Sequence, residues 1–175
     1  MALPSAYRFE PLRDQHNRAA FSCGVESLDR YFRTQAGQDS RKRVASCFVL
    51  AAKDGSVAGY YTLSATSIAL VDLPPDLAKR LPRYPAIPAT LMGRLAVDHR
   101  RRGQRLGELL LFDAFSRTLR SEIASYAFVV DAKDETAEAF YERYRFMCCP
   151  ARGAGCFCPS GRSPRSSNSA CGARC

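Results

Sequence analysis

Long apolar runs are missing from this chain. None approaches the roughly 20 residues that cross a membrane, and the amino-terminal MALPSAYRFE lacks the apolar core of a signal peptide. A cytoplasmic protein is therefore expected, with no membrane among its partners. Acid is missing from the end: residues 144–175 contain five arginines and neither Asp nor Glu. The net charge of +9 and the pI near 9.4 favour polyanionic partners, either nucleic acid or acidic cofactors. Without that tail residues 1–143 carry only +4, so half of the basic signal comes from one unusual segment. Histidine is also absent from the tail, and no stretch of the chain interleaves aromatic and basic residues as an RNA-binding motif would.

What is present suits one soluble domain. At 175 residues, with 46% hydrophobic and 25% charged residues, the chain is long enough to bury a sizeable core. Its organising stretch is Gly93 to Leu111, GRLAVDHRRRGQRLGELLL. Leu95, Ala96 and Val97 read as the end of a buried strand, Arg100 to Gly107 as a basic turn, and Glu108 to Arg120 as a helix. Within the turn, Gly103 and Gly107 let backbone N–H groups approach a ligand at a helix start, where the positive helix end favours an anion such as a pyrophosphate. Arg100, Arg101 and Arg102 would add charge for a phosphate to pair with. The blander reading is an ordinary strand-to-helix connection with a solvated basic face.

Around that stretch the chain alternates between strand and helix patterns. Residues 7–12 read as a first strand. The segment from Phe21 to Phe32 reads as a helix begun by Ser22 or Gly24, with Leu28, Tyr31 and Phe32 on its inward face. Val44–Leu50 and Val57–Ser64 read as strands joined by the turn signal Asp54-Gly55, the second continuing or pairing through Ser67–Val71. Asp72 to Ala89 holds five prolines and a short helix, Pro75 to Leu81, whose Lys79, Arg80 and nearby Arg83 are either solvated or part of a substrate surface. Ala124–Val130 reads as a buried parallel strand. Glu135–Tyr144 reads as a helix with Ala139, Phe140 and Arg143 along its inward edge.

The strand, turn and helix resemble the acyl-CoA signature of the GNAT N-acetyltransferases, Gln/Arg-x-x-Gly-x-Gly/Ala, with Arg102 and Gly107 at its ends and Arg105 in place of the middle glycine. Phe140-Tyr141-Glu142-Arg143-Tyr144-Arg145-Phe146 resembles the family pattern Phe-Tyr-x-x-x-Gly-Phe, with Arg145 in place of the glycine. The resemblance implies an α/β (α+β) acyltransferase fold with a central mixed sheet flanked by helices. It also implies acetyl-CoA as cosubstrate, Tyr141 as the general acid, and cofactor contacts from Leu95, Ala96, Val97, Arg102, Gly103, Gln104, Arg105, Leu106, Gly107 and Glu108. Asp98 and Glu108 themselves read as surface or capping carboxylates, and no metal is implied.

Three further stretches, Phe21-x-Cys23-Gly24-x-x-x-Leu28-Asp29, Gly59 to Ser64 and Gly93 to Asp98, are similar to the GNAT toxins of bacterial toxin–antitoxin modules. That likeness, over residues 7–146, implies acetylation of the α-amino group of aminoacyl-tRNA and neutralisation by a ribbon-helix-helix antitoxin, with a homodimer favoured. Lys42, Arg43, Lys79, Arg80, Arg83 and Arg94 are the candidate RNA contacts, and Arg94 reads alternatively as a buried ion-pair partner.

After Phe146 the likeness stops. Residues 1–146 are expected to form the acetyltransferase domain and 147–175 a Cys/Arg/Ser-rich tail holding six of the eight cysteines. The cysteine spacing lacks the pairs of a zinc site, and a cytoplasmic chain would not build a disulfide framework. The tail reads either as a disordered cysteine-rich segment or as the product of a shifted reading frame. Read one base out of frame with suitable synonymous codons, residues 148–165 give LPGEGRRLFLPIRTIAK, an apolar final strand of the kind expected there. On either reading the last strand of the fold is missing or replaced.

Overall fold

The computed structural model describes residues 6–148 and 155–159. Four antiparallel strands run in sequence order: β1 (Tyr7–Pro11), β2 (Ser46–Ala52), β3 (Val57–Ala69) and β4 (Ala86–Val97). The run Ser67–Val71 thus largely continues β3 rather than pairing beside it. β5 (Ala127–Asp131) lies parallel to β4, as its consecutive apolar residues predict for a strand covered on both faces.

Beyond β5, where the last strand is expected to be missing or replaced, tail residues take its place. Gly155–Pro159, labelled β7, pairs antiparallel with β5, and the short β6 (Met147–Cys148) pairs with β7 at the sheet edge. These seven residues of the tail therefore belong to the sheet, and they close the otherwise unpaired edge of a buried strand. The remaining tail residues lie outside the described ones.

The sheet is covered on both faces. Side chains of β3 alternate, so Tyr60 faces α1 (Glu26–Thr34) and α2 (Ala36–Arg41), while Tyr61 faces α4 (Leu106–Leu119) and α5 (Glu135–Glu142). On the first face Phe32 stacks on Tyr60 at 4.3 Å between ring centroids, and the Tyr60 hydroxyl donates to the Leu28 carbonyl at 2.9 Å. On the second, Leu110, Leu111, Phe115 and Phe128 form the centre of the core. A third cluster, Ile68, Ile87, Ala89 and Val129, lies beneath the short α3 (Pro75–Ala78).

Two local expectations need correction. Neither Ser22 nor Gly24 caps α1: Val25 precedes the helix without a side-chain cap. Asp29, buried within α1, instead reaches back to accept from the Cys23 amide and the Ser22 hydroxyl, both at 2.7 Å. On α5 the inward edge is not Ala139 and Arg143, which are exposed, but Phe140, Tyr141 and Tyr144. Tyr144 lies just past the helix, where the turn after Glu142 brings it round to the face of Tyr141.

Candidate active site

The site begins with a break in the sheet. Parallel pairing of β4 with β5 lasts only from Ala89–Ala127 to Met92–Val130. Against β3, Thr62 pairs with Arg94 but Leu63 pairs with Met92, so Gly93 is the extra residue of a bulge. A bulge bends the strand that carries it. Beyond it β4 stays with β3 as far as Val97–Gly59 and has parted from β5. The edge of Leu95, Ala96 and Val97 that faces away from β3 therefore has no strand beside it among the described residues, and its backbone groups can receive an extended, amide-bearing ligand.

Gly59 fixes the position of the helix beyond that edge. A Cβ there would lie 2.8 Å from Leu110 Cδ1 and 2.9 Å from the Ala96 carbonyl, so only glycine lets α4 lie this close to the sheet. The close approach sets the amino end of α4 just past the end of β4. The chain between them turns through Asp98, fully buried, which accepts from the Arg100 amide and holds the Arg100 guanidinium through both carboxylate oxygens at 2.9 and 2.7 Å. Those Arg100 bonds, outweighing burial, hold the Asp98 carboxyl below the usual carboxylate range.

Gly103 (φ +79°) and Arg105 (φ +58°) then adopt left-handed backbone conformations, and α4 starts at Leu106. The amides of Leu106 and Gly107, in the first helical turn, have no intrahelical acceptor. Val97, Arg101, Arg102, Gly103, Arg105, Leu106 and Gly107 line an open cleft of about 310 Å³ at this point. Gln104 lies beside it, accepting from the Tyr7 hydroxyl at 2.9 Å.

The arginines do not all serve the cleft as expected. Arg100 is held by Asp98 and the Ala20 carbonyl, Arg101 by Ser56, Tyr7 and Asp54, and Arg102 by the Cys23 carbonyl. Three guanidinium groups thus tie the turn to the rest of the protein. Arg105 differs: its Nε donates to Glu108 at 2.7 Å, and its side chain is 69% exposed. Glu108, read from the sequence as a surface or capping carboxylate, is buried beneath it.

The second motif meets the first here. A Cβ on Gly107 would lie 3.7 Å from the Phe140 ring and 3.9 Å from Leu95 Cδ2, so the end of β4, the start of α4 and α5 converge on one residue. Tyr141, the next residue of α5, is buried with its ring 5.2 Å from that of Phe140 and 5.5 Å from that of Phe146. Tyr144 lies beside Glu108; burial first, and then that carboxylate, raise its phenol above the ordinary range. The open strand edge, the anion-favouring turn and the helix that carries Tyr141 therefore converge around Gly107.

The family is settled by comparison of this arrangement and its sequence with known proteins. The acetyltransferase (GNAT) domain family matches residues 87–154, from β4 to just before β7. A tRNA-acetylating toxin of Mycobacterium tuberculosis is 35% identical over 141 residues, 79% of this chain and 83% of the relative. The chain belongs to the GNAT N-acetyltransferases. AtaT complexed with acetyl-methionyl-tRNAfMet superposes with a TM-score of 0.80 at 27% identity, covering 88% of this chain and 95% of the other. AtaTR bound with acetyl-CoA gives 0.76 at 25% identity, covering 90% and 95%. An AtaT variant bound to the C-terminus of the antitoxin AtaR gives 0.72 at 25% identity, covering 89% and 94%.

The RNA candidates are scattered. Lys42 and Arg43 are exposed at the end of α2, and Lys79, Arg80 and Arg83, also exposed, lie around α3. Among the described residues Arg94, half-buried, forms no ion pair; its guanidinium lies over the Tyr31 ring, 3.5 Å from the centroid. Sequence reasoning passed over Asp29, although the spacing Phe-x-Cys-Gly-x-x-x-Leu-Asp places a carboxylate one helical turn inside α1, within reach of the preceding loop. Cys23 and Cys47 are buried free thiols, and burial raises their pKa to about 11 and about 12. Both are protonated at neutral pH and unsuited to forming an acyl-enzyme.

Proposed function

We propose that this N-acetyltransferase takes acetyl-CoA and acetylates the α-amino group of aminoacyl-tRNA, acting in the cytoplasm as the toxin of a toxin–antitoxin module. The observation that carries the reading is the parting of β4 from β5 directly before the Arg102–Gly107 turn, on a chain whose relatives include a tRNA-acetylating toxin. Leu95 to Val97 would hold the pantetheine by their backbone groups, and residues 102–108 the pyrophosphate.

Transfer is direct. A free α-amine has a pKa of about 7.7–8.0, so an appreciable neutral fraction attacks the thioester at pH 7 without a strongly perturbed base. The new bond is C–N and the bond broken is C–S. Tyr141 gives the departing thiolate its proton, and the proton lost by the amine passes to solvent. The protonated Cys23 and Cys47 thiols are poor nucleophiles and offer no covalent route themselves.

Lys42, Arg43, Lys79, Arg80, Arg83 and Arg94 are the proposed phosphate contacts, giving affinity and salt dependence with little sequence information. A ribbon-helix-helix antitoxin is the proposed protein partner, and the likeness to AtaT bound to the C-terminus of AtaR supports an antitoxin. A second copy of the chain completes a dimer.

The reading is tested with labelled acetyl-CoA and a mixed pool of charged tRNAs, beside polyamines and a peptide amine. Label in the aminoacyl-tRNA fraction supports it. Label only in the other amines would leave an N-acetyltransferase of different substrate.

We also propose that residues 147–175 derive from a shifted reading frame. The one-base-shifted reading of Gly155–Pro159 is apolar, and those residues pair with β5, whose own residues Ala127–Val130 are buried. Resequencing of independent isolates tests this: an intact frame in all of them would remove it.

A further inference from the structure

The end of the sheet brings two cysteines into register. β6 and β7 pair antiparallel, Met147 with Phe157 and Cys148 with Cys156. On the other edge of β7, Cys156 and Cys158 stand opposite Val130 and Phe128 of β5. Among the described residues, Cys148 and Cys156 are thus the two cysteines that meet directly across a ladder.

Directly opposed residues of an antiparallel pair share a face of the sheet, with Cα atoms about 4.5–5.5 Å apart. A disulfide spans Cα separations of about 4.4–6.8 Å, so the backbone here already meets its requirement. Cys156 and Cys158 lie two residues apart along one extended strand, about 6.6 Å, at the far limit of that span. β6 is the outermost strand of the sheet, and Met147, next to Cys148, is 37% exposed. This edge is open to small solutes.

We infer that Cys148 and Cys156 form a reversible disulfide, a redox modification site that staples β6 to β7. In a reducing compartment the pair stays as two thiols, and its oxidation is a transient response to redox conditions. The oxidant is a low-molecular-weight disulfide of the glutathione class. The thiolate of one cysteine attacks it and releases one small thiol, leaving a mixed disulfide; the thiolate of the partner then displaces the second small thiol. One S–S bond breaks and one forms. Two protein thiols are oxidised, the reagent disulfide is reduced, and the two protons end on the two released thiols.

The staple acts on the segment that returns from α5. Arg145, with φ +63°, turns the chain, and the buried Phe146 then lies with its ring 5.5 Å from that of Tyr141 and 6.2 Å from that of Phe128. β6 starts at the next residue and is two residues long, so little else in the ladder holds it. A bond from Cys148 to Cys156 fixes the carboxyl-terminal side of Phe146 to a strand that is itself paired with β5. The inference depends neither on which amine the enzyme acetylates nor on the origin of the tail.

The test is peptide mapping of the full chain after equilibration with oxidised glutathione and alkylation of the remaining thiols. Trypsin cuts after Arg145, Arg152 and Arg162, which puts Cys148 and Cys149 on one peptide and Cys156 and Cys158 on another. The inference predicts a linked pair two hydrogens lighter than the sum of its peptides, separated again by dithiothreitol. Cys149→Ser and Cys158→Ser retain the pair, whereas Cys148→Ser and Cys156→Ser reduce it at least tenfold. Oxidised wild type should melt about 3 °C or more above the reduced form, a shift lost in Cys148→Ser.

Separate peptides from oxidised wild type, or cysteines that carry only glutathione, would overturn the inference. So would a linked pair that survives Cys148→Ser or Cys156→Ser, or that is lost in Cys149→Ser or Cys158→Ser. A linked pair with equal melting temperatures in the two forms would overturn its action as a staple.

Discussion

The Arg102 guanidinium donates to the carbonyl of Cys23, 79 residues earlier in the chain, and so ties the cofactor turn to the loop before α1. That loop is held in turn by Asp29, which accepts from the Cys23 amide and the Ser22 hydroxyl, and by His99, whose amide donates to the Ser22 carbonyl at 2.9 Å. Gly24 comes next with φ +82°, and a Cβ on it would lie 3.3 Å from Arg102 Nη2. Two stretches that look separate in sequence are one mechanical unit.

The charged hydrogen bond from Arg102 is worth about 1.5–3 kcal/mol where it is well shielded and less on this exposed side chain. Arg102→Ala is therefore expected to lower stability by about 1 kcal/mol in urea titration. It is also expected to speed hydrogen exchange at residues 22–24, which lose their outer anchor. Unchanged exchange there would show that Asp29 and His99 hold the loop without Arg102.

Gly59→Ala is expected to be more severe. The new methyl would meet the Ala96 carbonyl and Leu110 Cδ1 at 2.9 and 2.8 Å, so α4 must move off the sheet. Overpacking of this kind costs about 1–3 kcal/mol. Because α4 carries the turn, acetyl-CoA binding should weaken along with the melting temperature, and retention of both at wild-type values would contradict the placement of α4.

Acid sensitivity is expected at Asp98. Its folded-state pKa lies below the unfolded value of about 3.9, so its contribution is present in full above about pH 5 and is lost as the pH falls through the depressed folded value. Asp98→Asn should lower stability at pH 7 and narrow its gap from wild type as the pH approaches 3. Urea midpoints at the two pH values read this directly. Parallel curves would mean that the Asp98 charge does not stabilise the turn.

Arg145→Gly is expected to stabilise the chain. Arg145 has φ +63°, a conformation that costs a non-glycine residue about 1–2 kcal/mol, and its side chain is exposed with little packing to lose. Thermal unfolding should shift upward by a few degrees. A downward shift would mean that the arginine makes a compensating contact.

The two departures from the family pattern, Arg105 and Arg145, were legible in the sequence as substitutions, but their meaning was not. Both stand where the family has glycine, and both have left-handed backbones, which no pattern of side chains reveals. The meander, the parallel β5 and most of the helix faces came from periodicity, because burial on one or two faces writes itself into alternating or continuous apolar residues. The bulge at Gly93 did not, since it depends on the pairing of β4 with β3 and on its parting from β5. Nor did the burial of Glu108: a charge in a first helical turn reads as solvated until the neighbouring helix is known to cover it. The strand Gly155–Pro159 was hidden by a composition of cysteine, glycine and proline that predicts no strand.

The central claim is that Tyr141 donates a proton to the leaving thiolate at a site built by β4, the turn and α5. Its most direct test is the steady-state kinetics of Tyr141→Phe with acetyl-CoA and aminoacyl-tRNA. The account predicts a fall in kcat of about 10²–10⁴-fold with acetyl-CoA affinity within about threefold of wild type, because the phenyl ring preserves the packing against Phe140 and Phe146. Wild-type kcat in the Tyr141→Phe variant would contradict it.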